Sequence, residues 1–239
     1  MLFTKVIPGV LLAGATLLTD IARADTFGSG SNQFSMVFAE VGHPGNIGDT
    51  NHPANGVGPG AVDYTYRIGI HETSVDQFAK ALAADSRIAD GDENYWNDGI
   101  RTVGSGAPVA FCNWYEAARF ANWLTSGDAY SGAYQFDTNG TLVAVDRAAA
   151  MQAYGMIYVL PTEDEWFKAA YYKPVDDGSY SRFADGSDYT PPPRSTTNGW
   201  NYAEWGTWDP LLGPTNYMWE SGSGGLEQNG TYDMNGNSW

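Results

Sequence analysis

The chain has one cysteine, three histidines and 12 basic residues among 239, and it has no long uninterrupted apolar segment. With Cys112 alone, no intramolecular disulfide, no CxxC pair and no multi-thiolate metal centre can form within the chain. His43, His52 and His71 are not arranged as HExxH or as any other histidine-built zinc or iron pattern. Against those 12 bases stand 28 acids, a formal charge of −16, which argues against nucleic-acid phosphates or anionic lipid as partners. After the N-terminal region, no stretch approaches the eighteen apolar residues of a membrane span. GxSxG elbows, P-loops and dinucleotide-binding glycine patterns are missing as well.

What the chain has in quantity is glycine, 29 residues, and aromatic side chains, 14% of the total. That composition is too apolar for a disordered polymer and implies many tight turns around one sizeable core. The first residues, "MLFTKVIPGVLLAGATLLTDIARAD", combine an early lysine, an apolar run from Val6 to Leu18 and the small-x-small triplet Ala22-Arg23-Ala24. They read as a secretory signal peptide over residues 1–24, standing outside the fold and cleaved after Ala24. The remaining domain, residues 25–239, is then one unit more acidic and is expected to be secreted or periplasmic. A core of that size can stand in an oxidising compartment without a disulfide. Cys112, in "PVAFCNW", reads as a small buried hydrophobe.

Helix starts are marked by capping boxes, in which two side chains satisfy two orphan backbone N–H groups reciprocally. Ser74 with Gln77 opens one ahead of Val75, Phe78, Ala79 and Leu82, and Asn113 with Glu116 opens another ahead of Ala117, Phe120, Ala121 and Leu124. Thr162 with Glu165 opens a third in "LPTEDEWFKAAYYK", which Pro174 closes. The acids Glu163, Asp164 and Glu165 there fit the positive end of a helix dipole better than a catalytic cluster. "VDYTYRIGI" alternates like a strand, whereas residues 26–60 read mostly as Gly-, Asn- and Pro-rich loop. "AYQF-DTNG-TLVAV" reads as a hairpin turning at Asn139-Gly140. "DTNGT" and "DMNGNSW" share the Asp-x-Asn-Gly start of calcium loops but lack the twelve-residue ligand spacing. Asn139 and Asn229 each begin an Asn-Gly-Thr glycosylation sequon.

Three stretches occur in order, "YRIGIHETSVDQFAKAL", "APVAFCNWYEAARFANWL" and "YVLPTEDEWFKAAYY", and "GTYDMNGNSW" follows them. Together they resemble the sulfatase-modifying-factor family of formylglycine-generating enzymes, over roughly residues 34 to 239. "VGHPGNIGDT" and "AVDYTYRIG" are most like its exported bacterial branch. The resemblance implies an α+β, irregular, loop-rich fold related to C-type lectin folds, with "LPTEDEW" as scaffold. The chemistry it implies is oxidation of a sulfatase cysteine to formylglycine by molecular oxygen and copper, the metal held by two downstream cysteines. Neither of those cysteines is in this chain. Calcium is also implied: Asn201 and Tyr202 match one family site, and Asn235, Gly236 and Ser238 match the backbone turn of another, so weak calcium binding is expected. The chain ends at Trp239, one residue before the glutamate of the expected "WEW", which reads as a C-terminally incomplete domain without oxidase activity. The alternative reading is a non-catalytic, lectin-like binding or accessory module. The partner implied is a sulfatase-type client protein or a glycan.

Overall fold

The computed structural model describes residues 2–6, 22–51, 58–90, 105–110, 112–174, 178–188, 221–222 and 224–234. Its centre is a five-stranded antiparallel sheet. The strands are β1 (Thr4–Val6), β2 (Arg23–Phe27), β3 (Phe34–Val41), β4 (Tyr66–Gly69) and β7 (Ile157–Val159), in spatial order β2-β3-β4-β1-β7. In β3 the sequence Phe-Ser-Met-Val-Phe alternates between core and surface, burying Phe34, Met36 and Phe38, as the two-residue period of a strand requires. This strand lies inside the region the sequence marks as loop, because flanking glycines and asparagines dominate the window.

The three capping boxes all form. Helices α1 (Val75–Ala84), α2 (Trp114–Ser126) and α4 (Glu163–Tyr171) begin at Ser74, Asn113 and Thr162, each with its side chain and the third helical residue bonded reciprocally. Helix α2 ends at Gly127, whose left-handed backbone (φ 81°) suits a residue without a Cβ. A further helix, α3 (Arg147–Tyr154), is capped by Asp146 and closed by Gly155. It buries only Ala150, so it has no apolar stripe that a periodicity reading could find. The hairpin is present as β5 (Tyr134–Phe136) and β6 (Leu142–Val145), its turn held by Asp137, whose Oδ1 accepts from the N–H groups of Asn139 and Thr141 at 2.9 Å each. A short pair, β8 (Tyr172–Lys173) and β9 (Ser179–Tyr180), follows α4.

The main core gathers Phe27, Phe34 and Phe38 from the sheet against Phe78 of α1 and Phe120 and Trp123 of α2. A second cluster joins Val41, Tyr66 and Ile68 to Ala169 and Ala170 of α4 and to Met234. The antiparallel sheet with separate helices is the α+β arrangement that the sequence implies. In the full-length chain Phe3, Thr4 and Lys5 are buried, and β1 pairs with β4 on one side and β7 on the other. The physical reason is local, since "FTKV" offers an aromatic and a β-branched residue to a gap one strand wide. Among the described residues, no helix is long and apolar enough to cross a membrane.

Candidate functional site

Two of the three acids of "LPTEDEW", Asp164 and Glu165, serve as struts. Glu165 is fully buried, and its carboxylate accepts from the Thr162 N–H (2.7 Å), the Tyr64 hydroxyl (2.6 Å) and the Arg147 guanidinium (2.9 Å). Arg147 also donates to the Leu160 carbonyl at 2.6 Å, so α3 is tied to the start of α4. Asp164 accepts from the Gly60 N–H at 2.8 Å. Burial, reinforced by Glu165, pushes the Tyr64 and Tyr66 hydroxyls well above their usual range. With all its lone pairs engaged, Glu165 has none left for a substrate.

Cys112 sits just before the α2 cap, half-buried and packed against the main core, and its thiol donates to the Asn113 carbonyl at 3.5 Å. Burial and then the neighbouring Glu116 carboxylate push the thiol up to about 12. It is therefore protonated at neutral pH, whereas a nucleophile or a metal ligand must be a thiolate.

The residues with the most chemistry left over come from three separate segments. His71 follows β4, Gly222 lies in a short described turn, and Glu227 to Met234 form a loop that folds back on the sheet. The Tyr232 N–H donates to the Ile70 carbonyl at 3.0 Å, which brings the Tyr232 ring to 4.8 Å from the His71 ring. Gly222 has φ 78°, and a Cβ built on it would lie 2.3 Å from His71 Nδ1, so only glycine fits against the imidazole edge. Its N–H donates to Asp233 Oδ2 at 2.8 Å, and Asp233 itself has a left-handed backbone (φ 61°). Beside it, Glu227 is 3% exposed, with Oε2 accepting from Thr231 Oγ1 at 2.8 Å and Oε1 from the Met234 N–H at 2.9 Å.

Burial raises Glu227 to about 8 and raises Asp233 as well, while it lowers His71. His71 Nδ1 is buried with no hydrogen-bond partner among the described residues. At neutral pH this region thus holds a protonated Glu227 and a neutral His71. Of these residues, His71 and Asp233 stand in stretches that the sequence singles out. Glu227, in "LEQNGTYDM", gives no signal, because its raised proton affinity comes from tertiary burial alone.

The five residues expected to hold calcium, Asn201, Tyr202, Asn235, Gly236 and Ser238, lie outside the described residues. No group of three or more His, Cys, Asp or Glu side chains able to hold a metal occurs among the described residues. Of the two sequons, Asn139 is exposed in its turn, whereas the Asn229 amide donates to the Ala169 and Tyr172 carbonyls at 3.0 and 2.9 Å and so caps the end of α4. In comparisons with known proteins, the family model described as sulfatase-modifying factor enzyme 1-like domain matches residues 38–239. No curated protein and no solved structure matches the chain.

Proposed function

Because this chain belongs to the sulfatase-modifying factor enzyme 1-like family, we propose that its 239 residues form a binding scaffold of that family and do not themselves oxidise a client cysteine. The observation that carries this reading is that Cys112 is the one cysteine in the 239 residues, so no pair of thiolates can form within them. The copper chemistry implied by the resemblance takes two thiolates, soft ligands that select Cu(I). A single half-buried thiol does not fit that donor set.

The client would be a sulfatase-type protein, and the domain an exported one. A glycan is the second reading, favoured by Trp114 and Tyr115 at the start of α2. Both rings are about half exposed (47% and 53%) and lie edge to face 5.5 Å apart, a platform of the kind on which a sugar ring stacks. The test is to incubate the full chain with Cu(I), oxygen and a peptide carrying Cys-x-Pro-x-Arg, and to weigh the peptide by mass spectrometry. The cysteine is expected to remain unchanged. Aldehyde formation above a metal-free control overturns the proposal.

A further inference from the structure

The chain builds the same turn twice and closes each on an Asn-Gly-Thr triplet. In Asp137–Thr141 the Asp137 N–H donates to the Thr141 carbonyl at 2.9 Å, and the Gly140 N–H donates to the Asp137 carbonyl at 3.0 Å. In Glu227–Thr231 the Glu227 N–H donates to the Thr231 carbonyl at 2.9 Å, and the Gly230 N–H donates to the Glu227 carbonyl at 3.0 Å. Gly140 and Gly230 have φ 79° and 80°. The two turns therefore share a backbone, and any chemical difference between them comes from side chains and surroundings.

Those surroundings are opposite. The Asn229 amide nitrogen donates to the Ala169 and Tyr172 carbonyls at 3.0 and 2.9 Å, so both of its hydrogens are engaged. Thr231 is fully buried, and its hydroxyl donates to Glu227 Oε2 at 2.8 Å. Asn139 and Thr141 are both exposed at the tip of the β5–β6 hairpin. Among the described residues no hydrogen bond engages the Asn139 side chain or the Thr141 hydroxyl. Their turn is held instead by Asp137 Oδ1, which accepts from their backbone N–H groups. A group attached at Asn139 leaves that turn intact, whereas one at Asn229 would uncap α4.

Transfer of a saccharide to asparagine needs the two groups that the first turn leaves open. The amide nitrogen is the nucleophile, and the hydroxyl two residues on is the feature that marks the triplet as an acceptor. The nitrogen forms a bond to the anomeric carbon of the sugar. The bond from that carbon to a pyrophosphate oxygen breaks, the lipid pyrophosphate leaves with the electron pair, and one amide proton is given up to a base.

We propose that Asn139 is the acceptor of an N-linked oligosaccharide, taken from a lipid-pyrophosphate-linked donor, and that Asn229, in the same triplet and the same turn, is closed to it. Occupancy in a cell rests on the export proposed above. The competence of the site in the folded chain does not, nor does it depend on whether the domain oxidises cysteine.

The test incubates the folded full chain with a purified oligosaccharyltransferase and its lipid-pyrophosphate-linked oligosaccharide, read by intact mass and peptide mapping. Short peptides of residues 134–144 and 225–234 serve as acceptors in parallel, and both are expected to be modified. The folded chain is expected to gain one glycan, on Asn139. Asn229 is expected to react about a hundredfold more slowly, because three hydrogen bonds must open first and each amounts to about a factor of five. Chains carrying Asn139→Gln or Thr141→Val, both at exposed positions, are expected to remain bare. A folded chain that stays bare while the 134–144 peptide is modified overturns the proposal. So does a 134–144 peptide that accepts nothing, or equal modification of Asn139 and Asn229 in the folded chain. Secretion from a glycosylating host checks export separately: a chain modified in the purified reaction and bare in that host contradicts export alone.

Discussion

Replacing Glu227 by glutamine removes one titrating proton from a buried loop and should change how stability depends on pH. The glutamine oxygen can still accept from the Met234 N–H, and its amide can donate to Thr231 Oγ1, so the packing is retained. For the wild-type acid, burial raises the value from 4.5 to about 8. Between those values the folded chain holds a proton that the unfolded chain has released. Stability is therefore fully present below pH 4.5 and is lost as pH rises toward 8, at up to about 1.4 kcal/mol per pH unit.

His71, lowered by burial, acts in the opposite sense below pH 6.5, and Asp233, also raised by burial, acts in the same sense as Glu227 in both chains, so the comparison of the two chains from pH 6.5 to 8 isolates Glu227. Across that range Glu227 should remove about 2 kcal/mol, a large share of the roughly 5–15 kcal/mol that holds a domain together. Lys168 then reverses the trend. Burial lowers its ammonium from 10.5 to about 8, so stability returns as pH rises between those values. The wild-type chain should thus show a stability minimum near pH 8. The Glu227→Gln chain should fall by about 2 kcal/mol less over the same range and keep the rising limb. Urea denaturation followed by tryptophan fluorescence at half-unit pH steps measures both. The same change in stability from pH 6.5 to 8 in the two chains, or wild-type stability that increases over that range, would refute the reasoning.

Arg147→Met should destabilise the chain by about 3 kcal/mol, because it strips the buried Glu165 of its countercharge, and the double variant with Glu165→Met should recover part of that loss in a double-mutant cycle. Asn122 is fully buried, donating to the Ala129 and Tyr134 carbonyls and accepting from the Tyr134 N–H. Asn122→Leu should therefore cost at least about 3 kcal/mol in chemical denaturation, from three backbone groups left without partners. Alkylation of Cys112 by iodoacetamide in the folded chain should remain slow through pH 9 and accelerate only on unfolding. A rate that rises with a midpoint near pH 8.5 would show an ordinary thiol.

The parts of the fold that are legible in the sequence are those governed by neighbours in sequence. Ser74, Asn113 and Thr162 meet their partners three residues on, and Asp137 holds a turn within four, so short-range chemistry fixes these elements before any tertiary contact forms. Helix α3 escapes because half of its residues are alanine and it buries only Ala150, and it is held instead through the long-range pair of Arg147 with Glu165. Strand β3 escapes because its alternation is short and hemmed by glycines. At the candidate site, His71 and Asp233 lie in stretches that carry the family resemblance. The proton affinity of Glu227 depends on a loop folding back more than 150 residues downstream of β4, which no local pattern encodes. The same limit applies to Phe3–Val6: composition marks a leader, and only the register with Ile68 and Val159 shows a strand.

The central claim, that this chain lacks the paired thiolates of a copper oxidase, is tested most directly by X-ray absorption on the protein titrated anaerobically with one equivalent of Cu(I), alongside Cys112→Ser. The account predicts no two-sulfur copper centre within a chain, and spectra and affinities that are the same for the wild type and the variant. A tightly held Cu(I) with sulfur ligands that disappears in Cys112→Ser would contradict it.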